Sequence, residues 1–169
     1  MMDTATELKT VESILQPWTM SLTHPEENRV DMAIKAEDLV PAVQALLNAH
    51  WGYLAAITGL DHPAKAPKTP DEPVAENQME ALYHFCENAS IATLRISVPY
   101  SHPVVHTLCD IIPSATLYER EMIEMFGFEI TGTPSTDRLI LPDDWPQGIY
   151  PLRKSFTGFS AQPKGTQEA

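Results

Sequence analysis

Two cysteines, Cys86 and Cys109, are all this chain of 169 residues holds. They are far apart and form no C-x-x-C pair. Thiolate-held iron–sulfur clusters need about four such residues, so no cluster bound by this chain alone is expected, and a reduced cytoplasmic compartment fits. Basic residues are scarce too: 11 Lys and Arg stand against 23 Asp and Glu, a formal net charge of −12. A surface of that sign repels phosphates, which argues against free nucleic-acid binding and against attraction to an anionic bilayer. No apolar run approaches the roughly 20 residues that span a membrane, so membrane association is expected only through a partner. The opening MMDTATELKTVESIL has neither a basic stretch before an apolar run nor an Arg-rich character, and reads as no secretory or transit segment. The GxGxxG, P-loop, HExxH and GxSxG patterns are all missing, so dinucleotide, phosphate and hydrolase chemistry lack their usual marks.

What is present reads as globular. The apolar fraction is 43% and the charged fraction 20%, and the length favours one domain with a buried core. Fifteen prolines against seven glycines imply many fixed, extended connections. Residues 3–16 place Leu8, Val11, Ile14 and Leu15 on one side of a first helix. Arg29–Ile34 reads as a short strand. Leu39, Val43, Leu46 and Leu47 recur at helical spacing, with Pro41 in the first turn and Gly52 as the stop signal. Tyr53–Leu60 is a strand, and residues 62–78, with four prolines and no periodicity, form a solvated loop. Met79–Cys86 and Ile91–Val98 are strands joined by a hairpin at Glu87–Ser90. In the second, Ile91, Thr93, Arg95 and Ser97 face one way, and Ala92, Leu94, Ile96 and Val98 the other. The alternation predicts a small mixed or antiparallel sheet with helices on one face, an α+β fold.

A short helix is expected after Ser101, and a stronger one in TLYEREMIEMFG. There Thr116 and Glu119 have capping-box spacing, Tyr118, Met122, Met125 and Phe126 form an apolar stripe, and Gly127 ends the helix in a left-handed turn. After Gly127 the regular pattern stops. The remaining tail still carries Leu139, Ile140, Leu141, Trp145, Ile149, Tyr150, Leu152, Phe156 and Phe159, too many large apolar residues for a disordered segment. A structureless stretch this long is unusual inside a compact domain. The tail is therefore expected to lie extended across an apolar surface, its own domain's or, as better explains its length, a partner's. This divides the chain into an α+β core domain, 1–127, and an extended, partner-wrapping tail, 128–169.

The stretch YEREMIEMFGFEITGTPSTDRLILPDDWPQGIYPLRKSF resembles the signature region of the complex I 30-kDa subunit family, the C subunit of bacterial NADH:quinone oxidoreductase, with counterparts in membrane-bound hydrogenases. Glu119 through Gly127 match its ERE–acid–glycine pattern, Leu139–Pro142 and Pro151–Lys154 match its tail, and the resemblance covers roughly residues 30–156. Thr133 stands where the family usually has histidine before Pro134, and Asp137 where it has a basic residue, although Arg138 follows. The respiratory and hydrogenase-type branches both remain open. The resemblance implies an accessory subunit without cofactor of its own, packed beside the 49-kDa-type catalytic subunit and neighbouring iron–sulfur subunits of a peripheral arm on the cytoplasmic side of the membrane. Iron–sulfur clusters, flavin or a NiFe centre would belong to the partners. Glu119, Arg120, Glu121, Glu124, Gly127, Pro134 and Arg138 would be its structural signature, and Leu141, Trp145, Tyr150, Leu152, Arg153, Lys154 and Phe156 its partner-binding residues.

Sharper chemistry has plainer competitors. Glu119, Glu121 and Glu124 invite an acid–base reading, but Glu119 is turned away from Glu121 on a helix, and Arg120 with Glu124 reads as an i,i+4 pair. His102, His106 and Cys109 would align three ligands along one helix stripe, the basis of a standalone metal enzyme. Against it, Pro103 interrupts the stripe and no fourth ligand is evident. Arg138, Arg153 and Lys154 could bind an anion, given their concentration in an otherwise acidic chain, but read as contacts to acids of a partner ahead of that and of pairing with Asp137, Asp143 and Asp144. Trp145 reads equally as an interface anchor or as a residue folded back on its own core.

Overall fold

The computed structural model describes residues 3–65, 69 and 75–158. Much of the proline-rich loop within 62–78, and the tail from residue 159 with Phe159, lie outside the described residues.

Helix α1, Thr4–Leu15, begins where the Asp3 side chain accepts a hydrogen bond from the Ala5 amide, a polar N-cap. Strands β1, Ser21–Glu26, and β2, Arg29–Ala33, form a hairpin, followed by helix α2, Leu39–Asn48. Pro41 occupies the first turn of α2, where its missing amide costs no intrahelical bond. Three long strands, β3 Tyr53–His62, β4 Gln78–Glu87 and β5 Ser90–Pro99, make a meander, and β4 and β5 turn tightly through Asn88, which adopts φ 50°. Strand β6, Val104–His106, helix α3, Ala115–Phe126, and strand β7, Glu129–Thr131, complete the regular structure.

The main sheet has the order β1-β2-β5-β4-β3, antiparallel except for the parallel pair β2–β5; β6 and β7 pair in parallel beside it. The alternation expected of β5 is present: Ala92, Leu94, Ile96 and Val98 are buried in the core. Leu8, Val11 and Leu15 of α1, Leu39, Val43 and Leu46 of α2, and Met122, Met125 and Phe126 of α3 join them in one cluster. Helix α3 lies so close to β3 that a side-chain carbon on Gly59 would stand 2.5 Å from the Phe126 ring.

The opposite face of the sheet is polar. Arg95 donates to both oxygens of Glu80 at 2.7 Å and reaches Asp31 at 3.0 Å, while Arg29 binds Asp31 at 2.7 Å and His62 binds Glu80 at 3.0 Å. This chain of charges crosses four strands. Burial alone would raise the Glu80 pKa, but its bonds to Arg95 and His62 outweigh that and hold it below the usual carboxylate value.

The structure departs from three expectations and adds one strand that none of them covers. Ser21–Glu26 is a strand, although all six residues are exposed and Pro25 lies within it; pairing with β2 alone makes it one. No helix follows Ser101: the β-branched Val104 and Val105 pair with β7 as strand β6. Helix α2 ends at Asn48, before His50 in a left-handed conformation, and Gly52 instead opens β3, where a side-chain carbon would lie 2.8 Å from the Cys86 carbonyl oxygen. Regular structure also runs beyond Gly127, since β7 follows and Phe128 and Ile130 are buried in the core.

Candidate functional site

The residues of the ERE stretch sit on α3, between the sheet and the tail. Ser114 precedes the helix without a side-chain cap. The capping box expected of Thr116 and Glu119 is not formed, because Glu119 points inward and is 1% exposed. Its carboxyl group accepts from the Thr107 hydroxyl and the Leu108 amide, both at 2.7 Å, and from the Cys109 thiol at 3.3 Å. One carboxyl group therefore fastens the turn after β6 to α3. Burial, with Glu119 adding to it, pushes the Cys109 thiol pKa up and away from thiolate reactivity.

One turn on, Glu124 accepts from the Leu139 amide at 2.6 Å and the Ile140 amide at 2.8 Å. Arg120 donates to the carbonyls of Asp137 and Arg138 at 2.7 and 2.5 Å. The expected Arg120–Glu124 pair is thus replaced by two separate grips on the same strip of tail. Extended backbone offers unpaired amides and carbonyls, and these satisfy both side chains better than each other. Glu121 remains half-buried on the helix.

The tail leaves β7 through Gly132 in a left-handed turn, with Pro134 exposed in it. Arg138, expected to meet a partner ahead of the nearby aspartates, donates within its own chain to the carbonyls of Pro142 at 2.7 Å and Trp145 at 2.6 Å, closing a loop. The Trp145 indole donates to the Ile149 carbonyl at 2.8 Å, and its ring lies 6.0 Å from that of Phe156. A groove of about 450 Å³ runs between α3 and this loop, lined by Ile123, Leu141, Trp145, Ile149 and Tyr150. Tyr150 closes over Gly127 so tightly that any side-chain carbon there would run into its ring. Gly127 ends α3 at φ 76°, with its amide returning to the Ile123 carbonyl.

Past Tyr150 the chain is pinned again. The Leu152 amide donates to the Met125 carbonyl at 3.1 Å, Arg153 Nε to the Phe126 carbonyl at 2.6 Å, and the Lys154 amide to Asp61 at 2.7 Å. Asp61, 5% exposed, also accepts from the Tyr100 hydroxyl. Burial, helped by that bond, pushes the Tyr100 pKa up to about 12. Asp61 and Tyr100 lie outside the residues singled out from sequence: nothing local to a strand-end aspartate and a tyrosine after a strand announces a tail docking ninety residues on. Through residue 158, the apolar surface the tail crosses is that of its own domain, while Leu139, Ile140 and Leu152 stay exposed on its outer side.

The metal-ligand stripe is not assembled. His102 and His106 are exposed beside β6 on a cleft of about 580 Å³ that also contains Lys35, Glu80 and Arg95, while Cys109 belongs to the Glu119 turn. Among the described residues no group of three His, Cys, Asp or Glu side chains is placed to hold a metal ion. Nor, among them, is any helix long and apolar enough to cross a membrane.

The family model for the respiratory-chain NADH dehydrogenase 30 Kd subunit matches residues 32–162, which include α2, strands β3–β5, α3 and most of the tail. The chain belongs to this family. It is 28% identical over 160 residues to the C subunit of NADH-quinone oxidoreductase from Roseiflexus sp. (strain RS-1), covering 90% of this chain and 83% of the relative. It is 44% identical over 63 residues to membrane-bound hydrogenase subunit beta of Pyrococcus furiosus, covering 37% of this chain and 36% of that one. Of several of the curated relatives it matches the chain spans about half the length or less, down to 14% of formate hydrogenlyase subunit 5 of Escherichia coli. Two solved structures share the fold. A chain of the archaeal membrane-bound sulfane sulfur reductase complex has a TM-score of 0.63 at 23% identity, covering 89% of this chain and 85% of that one. A trypsin-resistant fragment of Nqo5 has a TM-score of 0.58 at 20% identity, covering 78% and 97%.

Proposed function

We propose that this chain is a cofactor-free accessory subunit in the peripheral arm of a complex I-like, membrane-associated oxidoreductase, bracing a 49-kDa-type catalytic subunit. Electron transfer and the reduction of the final acceptor then belong to neighbouring subunits that carry iron–sulfur clusters and flavin. The observation that carries this reading is how the family's signature residues are used. Glu119, Arg120, Glu124 and Arg138 are each committed to main-chain atoms or to the turn after β6, so they shape a surface and leave little for substrate. The outer side of the held tail, with Leu139, Ile140 and Leu152 exposed, is the face offered to the partner. In this reading the domain sits on the cytoplasmic side of the membrane and reaches it only through its partners.

A second reading keeps the role and changes the machine. The 44% identity to a membrane-bound hydrogenase subunit favours the equivalent place in a [NiFe] hydrogenase complex. Both are tested by affinity purification of the tagged full chain from its own membranes, with mass spectrometry of what accompanies it. Recovery of complex I-type subunits is expected. Nickel-binding cysteines in the recovered large subunit would move the assignment to the hydrogenase, and a chain recovered alone would sink the accessory role.

A further inference from the structure

The side chain of Arg153 is fixed in place by its own domain while most of its donors have no acceptor among the described residues. Its Nε donates to the Phe126 carbonyl at 2.6 Å, and its guanidinium carbon lies 4.4 Å from the centre of the Tyr100 ring and 4.3 Å from that of Tyr150. These contacts use one N–H donor and the flat faces of the group. The other four N–H donors of Nη1 and Nη2 have no acceptor among the described residues. Asp61 holds the arrangement together, since it takes both the Tyr100 hydroxyl and the Lys154 amide. The side chain of Lys154 is exposed and has no ion-pair partner among the described residues, and Leu152 beside them is 51% exposed.

Two cations with no acidic partner among the described residues therefore stand next to each other in a chain whose net charge is −12. A guanidinium fork matches a carboxylate bidentately, and one already immobilised by two rings loses little freedom on binding. We propose that Arg153 and Lys154 form a carboxylate-reading anchor that takes an Asp or Glu side chain of the neighbouring subunit, with Leu152 covering the contact from water. The acidic remainder of the surface opposes phosphate-rich ligands, which carry charge over a wider area, and favours one carboxylate presented on an apolar protein surface. This rests on the accessory-subunit reading and names the chemistry of its partner.

The test uses the complex purified through the tagged full chain. A carbodiimide condenses an amine with a carboxylate at zero length, and peptide mass spectrometry then locates the link. The expected result is Lys154 joined to an Asp or Glu of a co-purifying subunit. Lys154→Glu should cut recovery of that subunit about tenfold, as loss of an interface anchor does, with the melting temperature of the full chain unchanged because the exposed side chain holds nothing in its own fold. Arg153→Gln should cut recovery at least as far. An intact complex in which Lys154 links to no other subunit, and whose recovery is indifferent to Lys154→Glu, overturns the anchor and leaves the accessory role standing. Loss of bound phospholipid with all subunits retained would reassign the site to a headgroup and overturn it as well. If the wild-type chain brings down no subunit, the accessory reading itself falls and the anchor with it.

Discussion

The open face of the sheet and the seam between α3 and the tail are both rich in charge, yet they spend it differently. On the sheet, Arg29, Asp31, Arg95 and Glu80 answer one another, side chain to side chain, across neighbouring strands. At the seam, Arg120, Glu124, Arg138 and Arg153 answer main-chain amides and carbonyls. A strand already has its backbone paired, so its charges are left to pair with each other. The tail has no ladder of its own, and side chains take the place of one. Removing a charge from the sheet should therefore loosen a pair, whereas removing one from the seam should release a segment.

The strongest way to break this contrast is at Glu119. Glu119→Ala leaves the Leu108 amide and the Thr107 hydroxyl buried without their acceptor, and should cost about 3 kcal/mol in denaturant unfolding. A loss below about 1 kcal/mol would mean that water or a neighbour replaces the carboxyl group and that the turn is not fastened by it. Next comes Glu124→Ala, with a local cost of about 1–2 kcal/mol. Here the diagnostic is hydrogen exchange: the Leu139 and Ile140 amides should exchange at least tenfold faster, while those of β4 and β5 keep their protection. Equal protection of residues 139–140 in variant and parent would show that the seam holds without its clamp.

The smallest effect belongs to the sheet and is read with pH. Burial, reinforced by the nearby Arg29 charge, lowers the His84 pKa below its ordinary 6.5. A base with a depressed folded pKa binds fewer protons folded than unfolded, so its contribution is complete above pH 6.5 and fades as pH falls through the lowered value. Glu80, also depressed, contributes above its ordinary 4.5 and loses that contribution as pH falls further. Melting temperature should decline in two shallow stages on acidification, each worth under about 1 kcal/mol because both groups are partly solvated. His84→Gln should erase the first stage alone, and an unchanged profile in that variant would remove His84 from the account.

What is legible in the sequence follows from the same contrast. The β4–β5 hairpin, the apolar stripe of α3 and its glycine stop are local patterns, and local patterns survive in a linear reading. The signature stretch from Tyr118 to Phe156 is a linear pattern too, which is why family kinship can be read from it. Strand β1 is hidden because all six residues are exposed and β2 is the one strand it pairs with among the described residues. Strand β6 is hidden because its partner, β7, lies beyond a helix. Thr116 and Glu119 have the spacing of a cap by coincidence, since the carboxyl group is aimed at residues 107–109. The seam is illegible for a simpler reason: its acceptors and donors are backbone atoms, which every residue carries and no residue type announces.

The parallel pair β2–β5 has a consequence for how the sheet is completed. Strands β3, β4 and β5 follow one another through the chain and can join as they emerge from the ribosome. The hairpin of β1 and β2 emerges before them, but the inner edge of β2 has no neighbour until β5 has been made. The β2 edge thus stays open while β3, β4 and β5 are being made, and is covered before α3 and the tail exist to close over the other side of the sheet.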